Sequence, residues 1–153
     1  MSAPALEGFA LLAGLDPEER ARIAAELDCL ELGPGYRVCG EGDEGEGLLF
    51  VAEGRVRVAS AAGGAVLAAE LGPGATLGGL SLIAPGARRV SVETLSRSRL
   101  FLLRRSAYQR LVASAPRAAC RLLEALLRES AGLEGELLAA LPPASIDRAS
   151  AGY

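Results

Sequence analysis

The stretch of this chain whose residue types come nearest to binding chemistry is Gly74-Ala75-Thr76-Leu77-Gly78-Gly79-Leu80-Ser81. It has the glycine and serine spacing of a phosphate-binding P-loop, but Leu80 stands where that loop needs its lysine. No lysine elsewhere can replace it, because all 16 basic residues are arginine. NTP hydrolysis is therefore not expected. What remains is a glycine-rich turn running into the apolar Leu80-Ser81-Leu82-Ile83, whose backbone N–H groups can still hold an anion. A second cluster, Glu41-Gly42-Asp43-Glu44-Gly45-Glu46-Gly47, gathers carboxylates but lacks the alternating Asp/Asn and distal Glu of a calcium loop. A surface turn between strands is the better reading.

Absences narrow the chemistry further. The chain has no histidine, so histidine general bases, Ser-His-Asp triads and histidine metal ligands are excluded, as lysine Schiff bases are by the missing lysine. Cys29, Cys39 and Cys120 are widely spaced with no Cys-x-x-Cys pair, which suggests buried thiols and neither a disulfide framework nor a metal site. Charge is uneven: residues 1–87 hold five Arg against thirteen acids, and residues 88–129 hold ten Arg against three. This marks either an anion-binding face or two regions that neutralise each other across the fold.

The apolar content of 50% comes largely from Ala and Leu. No uninterrupted apolar run reaches the roughly 18 residues of a membrane span, so a soluble protein with no membrane partner is expected. Met1 to Leu6 lacks the basic start of a secretory signal, which makes the cytoplasm the expected compartment. One domain over residues 1–141 suits the length, with 142–153 as a polar, flexible tail.

The elements that would position the glycine-rich turn are mainly β. The opening reads as helical through Phe9, Leu11, Leu12 and Leu15, and Asp16-Pro17-Glu18-Glu19 predicts a capped helix from about Pro17 to Leu27. From Cys29 to Leu103 short runs are broken by glycine. Strands are expected at Tyr36–Cys39, Leu48–Ala52, Arg55–Val58, Val66–Leu71, Arg89–Leu95 and Arg99–Leu103. Their spacing suits a sandwich, barrel or jelly roll. Leu32-Gly33-Pro34-Gly35 recurs as Leu71-Gly72-Pro73-Gly74, the Pro-Gly centre of a type II turn used twice. Ser106 is expected to cap a short helix, and Pro116 to open a longer one ending near Leu141. Leu123, Leu126, Ser130, Leu133, Leu137 and Ala140 form a seam on that helix, to be covered either by the β-roll or by a dimer partner.

Taken in order, Leu15 with its capped helix, Gly35, Glu41-Gly42-Asp43, Leu48-Leu49-Phe50-Val51, Gly54-Arg55-Val56, Gly72-Pro73-Gly74, Gly78-x-Leu80-x-Leu82, Arg88 and Val92 resemble the cyclic-nucleotide-binding domain of bacterial catabolite activators and protein kinase A regulatory subunits. The likeness runs from about Phe9 to Leu127. It implies an antiparallel β-roll of jelly-roll type with N-terminal helices over residues 9–103 and C-terminal helices over 104–141. It also implies a phosphate-binding cassette: Gly78, Gly79, Leu80 and Ser81 as the turn, Arg88 as the phosphate charge, Arg89 beside it and Ser91 as the small hydroxyl residue. Arg with several N–H donors suits a phosphodiester. Leu122, Leu123 and Leu126 become the candidate lid.

This chain departs from the family at two places. Gly79 stands where the family has a ribose-binding Glu, and Arg89 where it often has Ala, Ser or Thr. A lost charge-assisted hydrogen bond costs about 1.5–3 kcal/mol, roughly one to two decades of affinity.

The function implied is a non-catalytic sensor of a cyclic nucleotide, cyclic AMP ahead of cyclic GMP, that holds no cofactor and signals through its C-terminal helix. The alternative is a degenerate roll that binds no nucleotide and acts as a dimerisation or docking module, with Arg88 a solvated loop arginine. Expected partners are the nucleotide, a second copy through residues 116–141 and a separate output protein. The stretch after Leu141 is too short for a helix-turn-helix, so direct DNA binding is not expected.

Overall fold

A computed structural model describes residues 6, 8–40, 46–60, 67–82, 86 and 90–140. Eight antiparallel strands among these residues form two four-stranded sheets. The strands are β1 (Asp28–Leu32), β2 (Arg37–Cys39), β3 (Gly47–Glu53), β4 (Val56–Ser60), β5 (Leu67–Leu71), β6 (Thr76–Leu77), β7 (Ser91–Thr94) and β8 (Ser98–Arg104). One sheet runs β1-β8-β3-β6 and the other β2-β7-β4-β5. Helices α1 (Pro17–Ala24), α2 (Arg105–Ser114) and α3 (Pro116–Ala140) flank the roll, with short 3-10 turns at Ala10–Leu12 and Gly79–Leu82.

The strand sequences report which faces are covered. In β3, Leu48-Leu49-Phe50-Val51 is buried without a break because the first sheet is covered on both sides. Leu48 and Phe50, with Phe101 and Leu103 of β8, face a core shared with Leu12, Ile23, Tyr108, Leu111 and Leu122 of the helical layer. Val51 and Leu100 face the other way, to a smaller core with Val56 and Val92 of the second sheet. The second sheet's strand β4 alternates instead, with Val56 buried and Arg57 exposed. Phe9 meets Phe50 edge to face at 5.1 Å, which fixes the opening segment on the first sheet.

The repeated Leu-Gly-Pro-Gly turns sit where the chain passes from one sheet to the other, between β1 and β2 and between β5 and β6. Gly35 and Gly74 hold φ of 77° and 96°, which a side chain would resist.

Several boundaries differ from the sequence expectation. The opening forms only a 3-10 turn at Ala10–Leu12. Helix α1 stops at Ala24 because Glu26 and Leu27 donate to Ile23 and Ala24, a tightened last turn that leads straight into β1. Arg104, not Ser106, occupies the N-cap of α2, where β8 runs directly into the helix. Cys29 and Cys120 are exposed and Cys39 is half-buried, so the buried-thiol expectation fails: the first two lie on outward faces of an edge strand and a helix. Val66, Leu141, the acidic cluster at 41–45 and the tail fall outside the described residues.

Among the described residues, several charges of the basic back pair with the acidic front. Arg99 pairs with Glu31 and Glu53, Arg104 with Asp28 and Glu46, Arg110 with Glu26, and Arg121 with Glu19. The hydrogen bond that Arg104 Nε donates to the Asp28 carboxylate raises the Arg104 guanidinium pKa above its ordinary value.

Candidate functional site

The candidate turn is held at both ends by the first sheet and the helical layer. β6 is fixed to β3 through Leu49 opposite Leu77 and Phe50 opposite Thr76. Gly78 then reverses the chain at φ 81°, a conformation that favours glycine. The 3-10 turn Gly79–Leu82 follows, closed by the Ser81 N–H donating to the Gly78 carbonyl at 3.0 Å. Leu82 anchors its far end in the helix-side core. Gly79 itself does not have positive φ, so its backbone conformation is open to other residues.

The obstacle at Gly79 is spatial. A Cβ built there would lie 2.7 Å from Cδ2 of Leu126 on α3, with the rest of that side chain close behind. Leu126 is thus the lid candidate that meets the turn. Leu122 is fully buried in the helix-side core and anchors α3, while Leu123 is half-buried beside it. Burial also raises the pKa of the Tyr108 phenol, whose OH donates to the Ala119 carbonyl across the α2–α3 packing.

Ser91 opens β7 in the second sheet, and its hydroxyl donates to the Ala59 carbonyl on β4 at 3.4 Å. Arg88 and Arg89 fall outside the described residues. The structure therefore brings Gly78, Gly79, Ser81 and Leu126 together and leaves Ser91 on the opposing sheet. A separate groove of about 630 Å³ lies between the Ala10–Leu15 segment, the β5–β6 turn and α3, with Arg121, Glu124 and Arg128 along its wall. None of the described cassette residues lines it.

Arg105 was missed by sequence reasoning. As the first residue of α2 it donates through Nε to the Ser81 carbonyl at 2.8 Å. The signal available was an arginine at the end of a long apolar strand, which does not say what it reaches.

A two-sheet roll, a glycine turn after β6 and a C-terminal helix over that turn define a class of regulatory ligand-binding domains. The model of the cyclic nucleotide-binding domain matches residues 29–115, and the chain belongs to that family. It is 29% identical over 117 residues to a CRP-like cAMP-activated global transcriptional regulator of Mycobacterium tuberculosis, covering 75% of this chain and 52% of that protein. The chain thus spans about half the length of that curated relative. Among solved structures, the N-terminal domain of a transcriptional regulator from Streptomyces coelicolor superposes with TM-score 0.74 at 31% identity, covering 84% of this chain and 93% of that one. The Thermus thermophilus catabolite activator protein gives TM-score 0.69 at 33% identity, covering 84% and 62%. No helix among the described residues is long and apolar enough to cross a membrane.

Proposed function

We propose that this chain is a cytoplasmic sensor that binds a cyclic nucleotide, cyclic AMP ahead of cyclic GMP, and passes the signal to an output partner through α3. The observation that carries this reading is the turn Gly78–Leu82 lying under Leu126, which places a candidate anion-holding backbone against the helix that would report occupancy. Arg88 supplies the charge for the phosphate and Ser91 a hydroxyl, with Gly78, Gly79, Leu80 and Ser81 as the turn and Arg89 on its flank. The relative that is named as cAMP-activated supports the choice of ligand. Helix α3 also carries Leu127, which is 60% exposed, and the reading includes a homodimer through residues 116–141.

Isothermal titration of the parent and of Arg88→Ala with cyclic AMP and cyclic GMP tests this reading. The parent is expected to bind, and Arg88→Ala to lose binding with a nearly unchanged Tm, because a ligand-facing arginine is solvated in the empty site. Equal affinities in the two proteins would remove Arg88 from the site.

A second reading is favoured by Gly79. With no carboxylate there and Leu126 filling the space beside it, the roll would serve as a docking or dimerisation module that binds no nucleotide. A folded parent silent to both nucleotides would select it.

A further inference from the structure

We propose that Arg105 is a positioning residue for the cassette turn, tying the Ser81 peptide to the first residue of α2 so that the turn and the α2–α3 pair form one mechanical unit. Its Nε donates to the Ser81 carbonyl at 2.8 Å, while its backbone N–H donates to the Glu46 carbonyl at 2.9 Å next to the start of β3. One residue therefore joins the turn, the first sheet and α2. From the other side, Leu126 of α3 occupies the space over Gly79. The same helical pair thus holds the turn at two points two residues apart, one polar and one apolar.

The choice of arginine follows from what the Ser81 carbonyl needs. A charged donor makes a stronger bond to a carbonyl than a neutral one, and the guanidinium presents Nε from a rigid plane that a flexible ammonium lacks. The Ser81 carbonyl is aimed at α2, which fixes the orientation of the following peptide into buried Leu82. A displacement of α2 would carry that peptide with it, whereas the roll's own strands are bonded independently of it.

The proposal rests on the cassette reading for its meaning in signalling, but the tether can be measured without ligand. Hydrogen exchange on the full chain, as parent, Arg105→Met and Arg105→Lys, reports the Ser81 amide, which is protected by Gly78. Arg105→Met is expected to speed exchange at Ser81 about tenfold or more, matching a lost charge-assisted bond, with β3 and β8 unchanged and Arg105→Lys restoring part of the protection. Unchanged exchange at Ser81 in both variants, or an equal rise throughout β3 and β8, overturns the tether. If Arg105→Met does not fold, a Lys variant with parental exchange at Ser81 and with parental nucleotide affinity likewise overturns the need for a planar donor. A parent that binds neither cyclic nucleotide overturns the sensor reading and leaves the exchange result to judge the tether on its own.

Discussion

Gly79 shows how far single residues could be read. The glycine pair at 78 and 79 announced a turn, and Gly78 carries the positive φ. That Gly79 is bare for the sake of Leu126 was not legible, because the contact joins residues far apart in sequence and no local pattern encodes it. The contact changes the expected outcome of restoring the family's carboxylate. Gly79→Glu alone has to push Leu126 aside, so part of the gain from a charge-assisted hydrogen bond is spent on displacing α3. In a Leu126→Ala background the new side chain has room. The double variant is expected to bind cyclic AMP about ten- to a hundredfold more tightly than Leu126→Ala, corresponding to roughly 1.5–3 kcal/mol, with Gly79→Glu alone gaining less. Titration of the four proteins side by side checks this, and an equal gain in both backgrounds would show that Leu126 moves freely.

At the scale of elements, Glu19 performs two tasks, and only one was visible beforehand. The capping box at the start of α1 was written in Asp16-Pro17-Glu18-Glu19, and Oε1 of Glu19 does accept from the Asp16 N–H at 2.8 Å. Its other oxygen, Oε2, lies 3.1 Å from Nε of Arg121 on α3, with the Glu19 side chain 9% exposed and that of Arg121 34% exposed. Glu19→Gln keeps an acceptor for the cap but removes the charge facing Arg121. The expected loss is about 1–2 kcal/mol, below the value for a fully buried pair because Arg121 is partly screened by solvent. Glu19→Ala should cost more, by the roughly 1 kcal/mol of a helix cap. Urea denaturation of the three proteins distinguishes these, and a Gln variant as stable as the parent would remove the Arg121 contribution. Strands were legible to different degrees for a related reason. The expectation captured β2, β3, β4, β5, β7 and β8 and missed β1 and β6, the two edges of the first sheet. An edge strand has one neighbour, and β1 is half exposed along its length, so its hydrophobic pattern is weak and its pairing with β8 is decided by residues distant in the chain.

For the whole molecule, the described residues show that the acidic front and basic back meet across the fold at several ion pairs. Arg99, Arg104, Arg110 and Arg121 each find a carboxylate from the first half of the chain. Composition could show that the charges were segregated but not that the fold brings them together. Most of these pairs are exposed, and each contributes only about 0–1 kcal/mol. The apolar surface of α3 is the better guide to assembly. Leu122 and Leu126 turn inward, whereas Leu127 is exposed. A homodimer through α3 is expected at high micromolar concentration by sedimentation equilibrium, weakened about tenfold or more by Leu127→Asp, since a buried charge without a partner is strongly disfavoured. A monomer under those conditions would count against the assembly.

The closing of the first sheet by β1 and β8 has a mechanical consequence. Asp28 stands opposite Leu102 and Leu32 opposite Ser98, so the chain enters β1 and leaves β8 at the same end of their shared ladder. A pull that separates the N-terminal helical segment from α2 therefore loads the hydrogen bonds nearest Asp28 first and opens the ladder progressively, as a zipper does, instead of shearing all of its bonds together. The roll would yield at a low force at this seam while its inner strands, β3 and β8, remain paired.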